Sequence, residues 1–439
     1  MNLNKIIKST AMKRISFFVF VISHLVVSCF AHDNIYLSLS ASQAKRSGIA
    51  IEVFVPVGKD ANTASFAKYI QEIVKNDLIL SRYFNVVDKP SGNFNTKEKL
   101  LSLKHMNVFV ILAASVSNEG KNLVVKIKMT DVSTGSTIWE NKYTDKSCNY
   151  RYLAHKISDE IVKRFTGETG IACSKIAFIN DGTKFKELYI IDYDGHNLRR
   201  LTKDNRINVL PKWSPRGDQI IYTSYLCRNP DLFILNIVEN KRKILSKYQG
   251  LNVAGSFAPD GERILLTLSM KKYPNLYLIN LAGGILRKMT EGMHIDTSPS
   301  FAPNGQEIVF ISDRAGYPQL YIMNINGGNV RRLTTNGLCD SPEWSPRGDK
   351  IVFTMKEARG NHDLYIYDLP TAKIIKLTNN QRNNENPTWS PDGRFVVFYS
   401  NRSGKGEIYI MAIDGSGTRK LTEISGTSYT PAWSPVLTR

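Results

Sequence analysis

Recognisable catalytic motifs are missing from this 439-residue chain. It has no G-x-S-x-G, no H-E-x-x-H and no G-x-x-x-x-G-K-[ST], which removes nucleophile-elbow hydrolases, one large class of zinc peptidases and P-loop NTPases. The seven histidines never stand four residues apart, as two ligands on one helix face would. Cysteine is scarce, five in all, with no CxxC and no zinc-ligand spacing, so neither a metal ribbon nor a dithiol redox centre is expected. Neither a cofactor nor a metal is expected from these residues. Acid is also short: 39 Asp and Glu face 58 Lys and Arg, for a formal charge of +19. The lysines are scattered and no basic run tracks a nucleic-acid backbone, so the excess implies no nucleic acid and at most weak attraction to anionic envelope surfaces.

Long apolar runs are absent too, with one exception. Ile15 to Ala31 is mostly Phe, Val, Ile and Leu and follows Lys13-Arg14. A basic start, an apolar centre and a small final residue describe a secretory signal peptide over 1–31, cleaved at Ala31, with Met12 as a second candidate start. Two alternatives stay open: a membrane anchor, which His24 interrupts, and a lipoprotein signal ending in Val26-Val27-Ser28-Cys29. Residues 1–31 hold Lys5, Lys8, Lys13 and Arg14 and no acid, so the remainder carries 19 less 4, or +15. Of the later cysteines, Cys148, Cys173, Cys227 and Cys339, the first two could pair across the domain junction in an oxidising compartment, or the thiols could be isolated and buried; the spacing leaves every state open.

What the sequence does contain is a repeat. Thr388-Trp389-Ser390-Pro391-Asp392-Gly393 has relatives at Trp213-Ser214-Pro215, Phe257-Ala258-Pro259, Phe301-Ala302-Pro303, Trp344-Ser345-Pro346 and Trp433-Ser434-Pro435. The prolines at 215, 259, 303, 346, 391 and 435 lie 44, 44, 43, 45 and 44 residues apart. That period is the length of a propeller blade of four short strands. Within a unit, Arg394–Tyr399 and Glu407–Ala412 read as strands, Asp414-Gly415-Ser416-Gly417 as a turn and Arg419–Thr422 as the outer edge strand. A closing Leu-Thr recurs at 201–202, 333–334 and 377–378. The first unit opens at Lys175-Ile176-Ala177-Phe178, already its second strand, and the chain finishes with the missing one at 430–435. A ring of six blades, closed by that last strand, reconciles both ends and leaves no open sheet edge.

Ahead of the repeats the pattern is mixed. Ile49–Val57 reads as a strand, Thr63–Ser81 as an amphipathic helix, Phe84–Val87 as a strand and Lys97–Ser102 as a helix. Asn107–Ala114 reads as a buried strand, Lys121–Thr130 and Thr137–Tyr143 as a hairpin, and Tyr150–Arg164 as a closing helix. The fold class is therefore α+β and multi-domain: a small N-terminal α/β domain over 32–168, then a six-bladed β-propeller over 169–439 closed by the C-terminal strand. Ile35 to Gly48 is polar and reads either as a frayed terminus or as an arm able to add a strand to a partner's sheet. Asp192-Tyr193-Asp194-Gly195 looks like a calcium loop but lacks the remaining ligands, and reads as a hairpin turn.

With these features together, the chain resembles the TolB family of the Tol–Pal envelope system. The resemblance covers essentially all of the chain after the signal, the small domain and then the six repeats. The repeats alone also occur in propellers of prolyl-oligopeptidase-like enzymes, and it is their combination with the signal and the preceding domain that is specific. It implies a periplasmic, non-enzymatic binding protein, peripheral to the envelope membranes. A Pal-like peptidoglycan-associated lipoprotein would dock at the propeller mouth, and a TolA-like inner-membrane protein would engage the N-terminal arm and domain. Other outer-membrane proteins could be further contacts. The assembly would maintain outer-membrane integrity and aid invagination during cell division. The resemblance carries Ala254 and Thr297 over as Pal-contact positions. The loops entering the inner strands add Asp296, Pro299, Asp340, Pro342 and Pro387 as partner-binding candidates. Two departures from the family pattern are Leu251, where a histidine is expected, and Gly255, where a proline is. From the residues alone a second class stays open, a secreted propeller that binds or cleaves a small carbohydrate or peptide in its channel.

Overall fold

The computed structural model describes residues 46–438 apart from 59, 89–96, 271, 358–359 and 380. The signal segment, Cys29, Ala31 and most of the polar arm lie outside the described residues. Among the described residues, no helix is long and apolar enough to cross a membrane.

Among the described residues, the strands and α-helices ahead of the repeats are β1 (Ser47–Ile51), β2 (Val55–Val57), α1 (Ala61–Leu80), β3 (Phe84–Asp88), α2 (Lys97–His105), β4 (Val108–Glu119), β5 (Asn122–Asp131), β6 (Thr137–Lys146) and α3 (Tyr150–Thr166). The sheet runs β3-β1-β4-β5-β6, parallel across its first three strands and antiparallel thereafter, with β2 pairing the far half of β4. Alternation in β4 and β5 places Leu112, Ala114, Val116, Val125 and Ile127 on one face, covered by Ile70, Val74 and Leu78 of α1 and Ile157 and Ile161 of α3. Leu103 of α2 covers Ala50, Val108 and Ile111 on the other face. Each helix buries its apolar stripe against the sheet, which supplies most of a short helix's stability. Asp60 caps α1 by accepting from the Asn62 N–H at 3.0 Å, and Gly167 ends α3 in the left-handed region at φ 76°.

Two sequence expectations change here. Ile49–Val57 is not one strand: the Phe54 N–H bonds the Gln71 side chain at 3.0 Å instead of a ladder partner, and the Phe54 ring turns into the core. The arm also ends sooner than Gly48. Ser47 and Gly48 belong to β1, and a Cβ added at Gly48 would lie 2.0 Å from the Asn107 carbonyl oxygen.

The remainder forms six four-stranded antiparallel sheets. The innermost strands of the second to sixth are Asn208–Trp213, Asn252–Phe257, Asp296–Phe301, Leu338–Trp344 and Asn384–Trp389. The innermost strand of the first blade is the last of the chain, Ser428–Trp433, paired antiparallel to Lys175–Asn180. The ring thus closes as the repeat pattern requires. Recurring residues have recurring jobs. The Leu-Thr threonines Thr202, Thr334 and Thr378, with Thr290 and Thr422, accept from a backbone N–H near the start of the third strand (Leu188, Leu320, Leu364, Leu276 and Ile408) at 2.9–3.0 Å. Turning Thr422 inward, with Leu421 buried, shortens the outer strand to Arg419–Lys420. In the Ser-Pro-Asp-Gly turn, Gly393 takes φ 67° and Ser390 Oγ accepts from the Phe395 N–H at 2.9 Å. Tryptophans tie neighbours together: Trp213 Nε1 donates to Ala432 O and Trp389 Nε1 to Glu343 O, both at 3.0 Å.

The four later cysteines are free thiols: Cys148 and Cys227 are exposed, Cys173 half-buried and Cys339 buried. Burial pushes the Cys339 thiol up to about 11. A thiol held that high is nearly all protonated at neutral pH and is a poor nucleophile.

Candidate partner-docking site

One end of the ring carries a repeated distortion. Each innermost strand slips register partway along, between Val209 and Lys212, Ala254 and Ser256, Thr297 and Ser300, Asp340 and Glu343, Glu385 and Thr388, and Tyr429 and Ala432. These are β-bulges, which re-aim side chains and bend a strand. In five blades the bulge holds a non-glycine residue at positive φ: Leu210 at 54°, Ser298 at 52°, Ser341 at 49°, Asn386 at 52° and Thr430 at 42°. A proline follows each, Pro211, Pro299, Pro342, Pro387 and Pro431. Left-handed backbone at such residues costs on the order of 1–3 kcal/mol apiece and clusters where function requires it.

The third blade departs from the pattern, with Ala254-Gly255. A Cβ at Gly255 would stand 2.5 Å from Leu265 O and 2.7 Å from Pro299 Cγ. The neighbouring blade's proline leans into the space that a side chain would need, which accounts for glycine here.

Together the bulges line a cavity of about 580 Å³ open to solvent. Among the expected residues, Ala254, Thr297, Pro299, Pro342 and Pro387 all line it. Asp296 does not: it is fully buried and accepts from Arg314 at 3.1 Å. Asp340 stands exposed at the rim, accepting from Ser298 Oγ at 3.3 Å and from the Ser341 N–H at 2.6 Å. Leu210, Ser298, Ser341 and Asn386 fall on the loops that the sequence places at the mouth, but their left-handed backbone, and the part of Thr430, went unread. Their signal was the x-Pro dipeptide two residues ahead of the inner-strand Trp or Phe in five of the six blades. Around the same end, Phe185, Ile207, Leu251, Met293, Ile295, Tyr317 and Leu338 are more than a third exposed, Met293 at 75%. Exposed apolar side chains gathered at one end, beside strained backbone, mark an interaction surface.

Deeper in the channel, Lys212 of the second blade donates to Glu343 of the fifth at 2.9 Å. In a ring of six these blades are opposite one another, so the ion pair bars the lumen. A second cavity of about 620 Å³ includes this pair with Trp213, Phe257 and Trp433. A narrow, barred channel suits a docking projection better than passage of a chain.

The other end of the ring holds the N-terminal domain. Arg394 stacks over the Tyr83 ring at 3.6 Å and donates to Ser81 O at 2.9 Å. Tyr83 Oη and Arg347 Nη2 both donate to Glu168, at 2.9 and 2.8 Å. Asp192–Gly195 is a hairpin turn, Gly195 taking φ 93°, as its residues suggested. It also reaches the N-terminal domain: Tyr193 Oη donates to Asp77 of α1 at 2.6 Å. His155 Nδ1 meets Asp77 Oδ2 at 2.8 Å, while its Nε2 lies 3.8 Å from Asp194 Oδ2, to which Arg151 also donates. Burial opposes charging of His155, but the charge and hydrogen bond of Asp77 and the charge of Asp194 win and raise its pKa. Two carboxylates, one guanidinium and an imidazolium make a charge-balanced buried set. Asp77, His155 and Asp194 are also a donor set of a kind that holds metals; the Arg151 guanidinium on Asp194 already supplies a cation there.

Comparison with known proteins agrees with both halves of this geometry. A model of the TolB amino-terminal domain matches residues 35–138, and one of the TolB β-propeller domain matches 162–437. The Tol-Pal system protein TolB of Geobacter sulfurreducens is 35% identical over 218 residues, 48% of this chain and 50% of that protein. That of Legionella pneumophila strain Corby is 29% identical over 218 residues, 48% and 51% of the two chains. The chain spans about half the length of the curated relatives it matches. The crystal structure of TolB from Acinetobacter baumannii superposes with a TM-score of 0.78 at 26% identity, covering 89% of this chain and 97% of that one. With the propeller model alone matching more than half of its residues, the chain belongs to the TolB family.

Proposed function

We propose that the chain is a non-enzymatic, periplasmic docking component of a Tol–Pal assembly, divided near Glu168 into its two domains. A Pal-like peptidoglycan-associated lipoprotein seats on the bulged mouth, with Ala254, Thr297, Pro299, Pro342 and Pro387 at the contact and Asp340 at its rim. A TolA-like inner-membrane protein engages the N-terminal domain and the polar arm ahead of Ser47. The assembly so formed ties the outer membrane to the cell wall and serves its invagination during division.

The carrying observation is the set of five left-handed, non-glycine bulge residues around one opening. Rigid loops on a closed ring present a preorganised surface, so little ordering entropy opposes association. Thr297 lies at the cavity edge, half-buried, with its hydroxyl 3.5 Å from that of Thr267. Replacing it with arginine places a bulky charge in the opening. Titration calorimetry with the soluble domain of the source organism's Pal-like protein should show binding to the wild-type chain and at least about a hundredfold loss for Thr297→Arg, the range of a centrally placed interface residue. Equal affinity for the two would refute docking at the mouth.

A further inference from the structure

The mouth carries its charge unevenly. Registers such as Asn208 with Ser224, Ser224 with Asp231 and Asn252 with Leu268 bring the loops at 181–186, 202–207 and 247–251, the hairpin tip at 227–229, and residues 269–270 and 272–274 to the mouth end of the first three blades. On them Lys184, Lys203, Arg206, Arg228, Lys247 and Lys272 are all exposed. None of these six forms an ion pair among the described residues. Three carboxylates of the same sector turn inward: Glu187 is fully buried against Arg200, Asp204 is held by Arg242, and Asp181 accepts from the Thr427 N–H and Tyr429 Oη. Over the remaining blades the end is mixed, with Asp340 and Arg382 both exposed, and exposed Glu291 and Glu423 mark the two edges of the basic sector.

We infer that the protein docked at the mouth presents an acidic face, which sits off-centre over the first three blades. This rests on the docking reading above and adds the chemistry of the partner and its position. Unpaired cations cost little while solvated, and their field gathers an anionic partner before contact, raising the association rate while salt is low. A folded protein fits better than an anionic bilayer because Phe185, Ile207 and Leu251 stand among the cations beside an opening of about 580 Å³. A partner's projecting loop can fill that opening; a lipid surface cannot.

The test uses the full chain and the soluble Pal-like domain in stopped-flow association across a salt series. Lys203→Glu, Arg228→Glu and Lys247→Glu together should slow association by about tenfold or more at low salt and flatten its salt dependence, with dissociation nearly unchanged. The matching glutamine triple should fall between this variant and wild type, which separates charge from folding. If the reversed triple associates as fast as wild type while Thr297→Arg abolishes binding, the acidic-face inference fails and mouth docking stands. If Thr297→Arg binds normally, mouth docking itself fails. Should the reversals leave the protein partner unmoved but release the chain from phosphatidylglycerol vesicles, the arc belongs to lipid and the inference is overturned.

Discussion

Trp433→Ala should destabilise the propeller by about 3–5 kcal/mol, the range for a large aromatic removed from a packed core. Trp433 is 8% exposed and packs with Ile176, Tyr193 and Val397, at the junction of the first and last blades. Its Nε1 donates to Ser174 Oγ at 2.8 Å, and its backbone N–H to Thr388 Oγ1 at 3.1 Å. The residue therefore joins the first blade's sheet to its neighbour, through the ring packed with Val397 and through the backbone bond to Thr388, of which the substitution removes the first. Thermal unfolding should shift down by about 10 °C. Removing everything after Thr427 should do far more. It strips the ladder from Ser428–Asn180 to Trp433–Ile176, the Ser434–Lys175 bonds at 2.8 Å and the cover over Ala177 and Ile179. The exposed second strand would become an unpaired edge, and aggregation rather than a cooperative melt is expected. A truncated chain that melts at the wild-type temperature would contradict closure by this strand.

His155→Gln should weaken the union of the two domains in a pH-dependent way. The imidazole has a raised pKa in the fold, so charging it binds a proton more tightly there than in the unfolded chain. Its contribution is complete below the ordinary histidine value of about 6.5 and fades as pH rises through the elevated folded pKa. The groups facing it are Asp77 of α1, Arg151 of its own helix, and Tyr193 and Asp194 of the blade turn. Breaking one member of a buried ionic set costs about 3–5 kcal/mol. The gap in unfolding temperature between wild type and His155→Gln should be widest near pH 6 and narrow toward pH 9. A gap that widens with rising pH would mean that the imidazole is neutral in the fold.

Both sites differ in how far the chain announces them. Ring closure was written in the Trp-Ser-Pro period and in the absence of that strand ahead of Lys175, because a blade's edge needs a partner and only the last strand remained. The lining prolines were visible as x-Pro dipeptides. The left-handed turn of Leu210 or Thr430 was not, since a residue before proline is ordinarily extended; only the convergence of six strands on one axis forces the bulge. Asp296 looked like its neighbour Thr297 in sequence, yet Arg314, on a loop of the same blade, draws it out of the channel. Asp77, His155 and Asp194 were silent for a different reason. They come from a helix of the first domain, a second helix and a blade turn, and no local period connects residues that meet only when two domains dock.

The claim on which the account turns is that one end of the ring, and not the N-terminal domain, receives the Pal-like protein. Hydrogen exchange with and without its soluble domain tests this directly. The account predicts new protection in the segments 207–212, 250–256, 295–300, 338–343, 383–388 and 428–432, which carry the bulges and their rims. Protection confined to α1, α3 or the turns at 193–195 and 390–394, with the mouth segments exchanging as before, would contradict it.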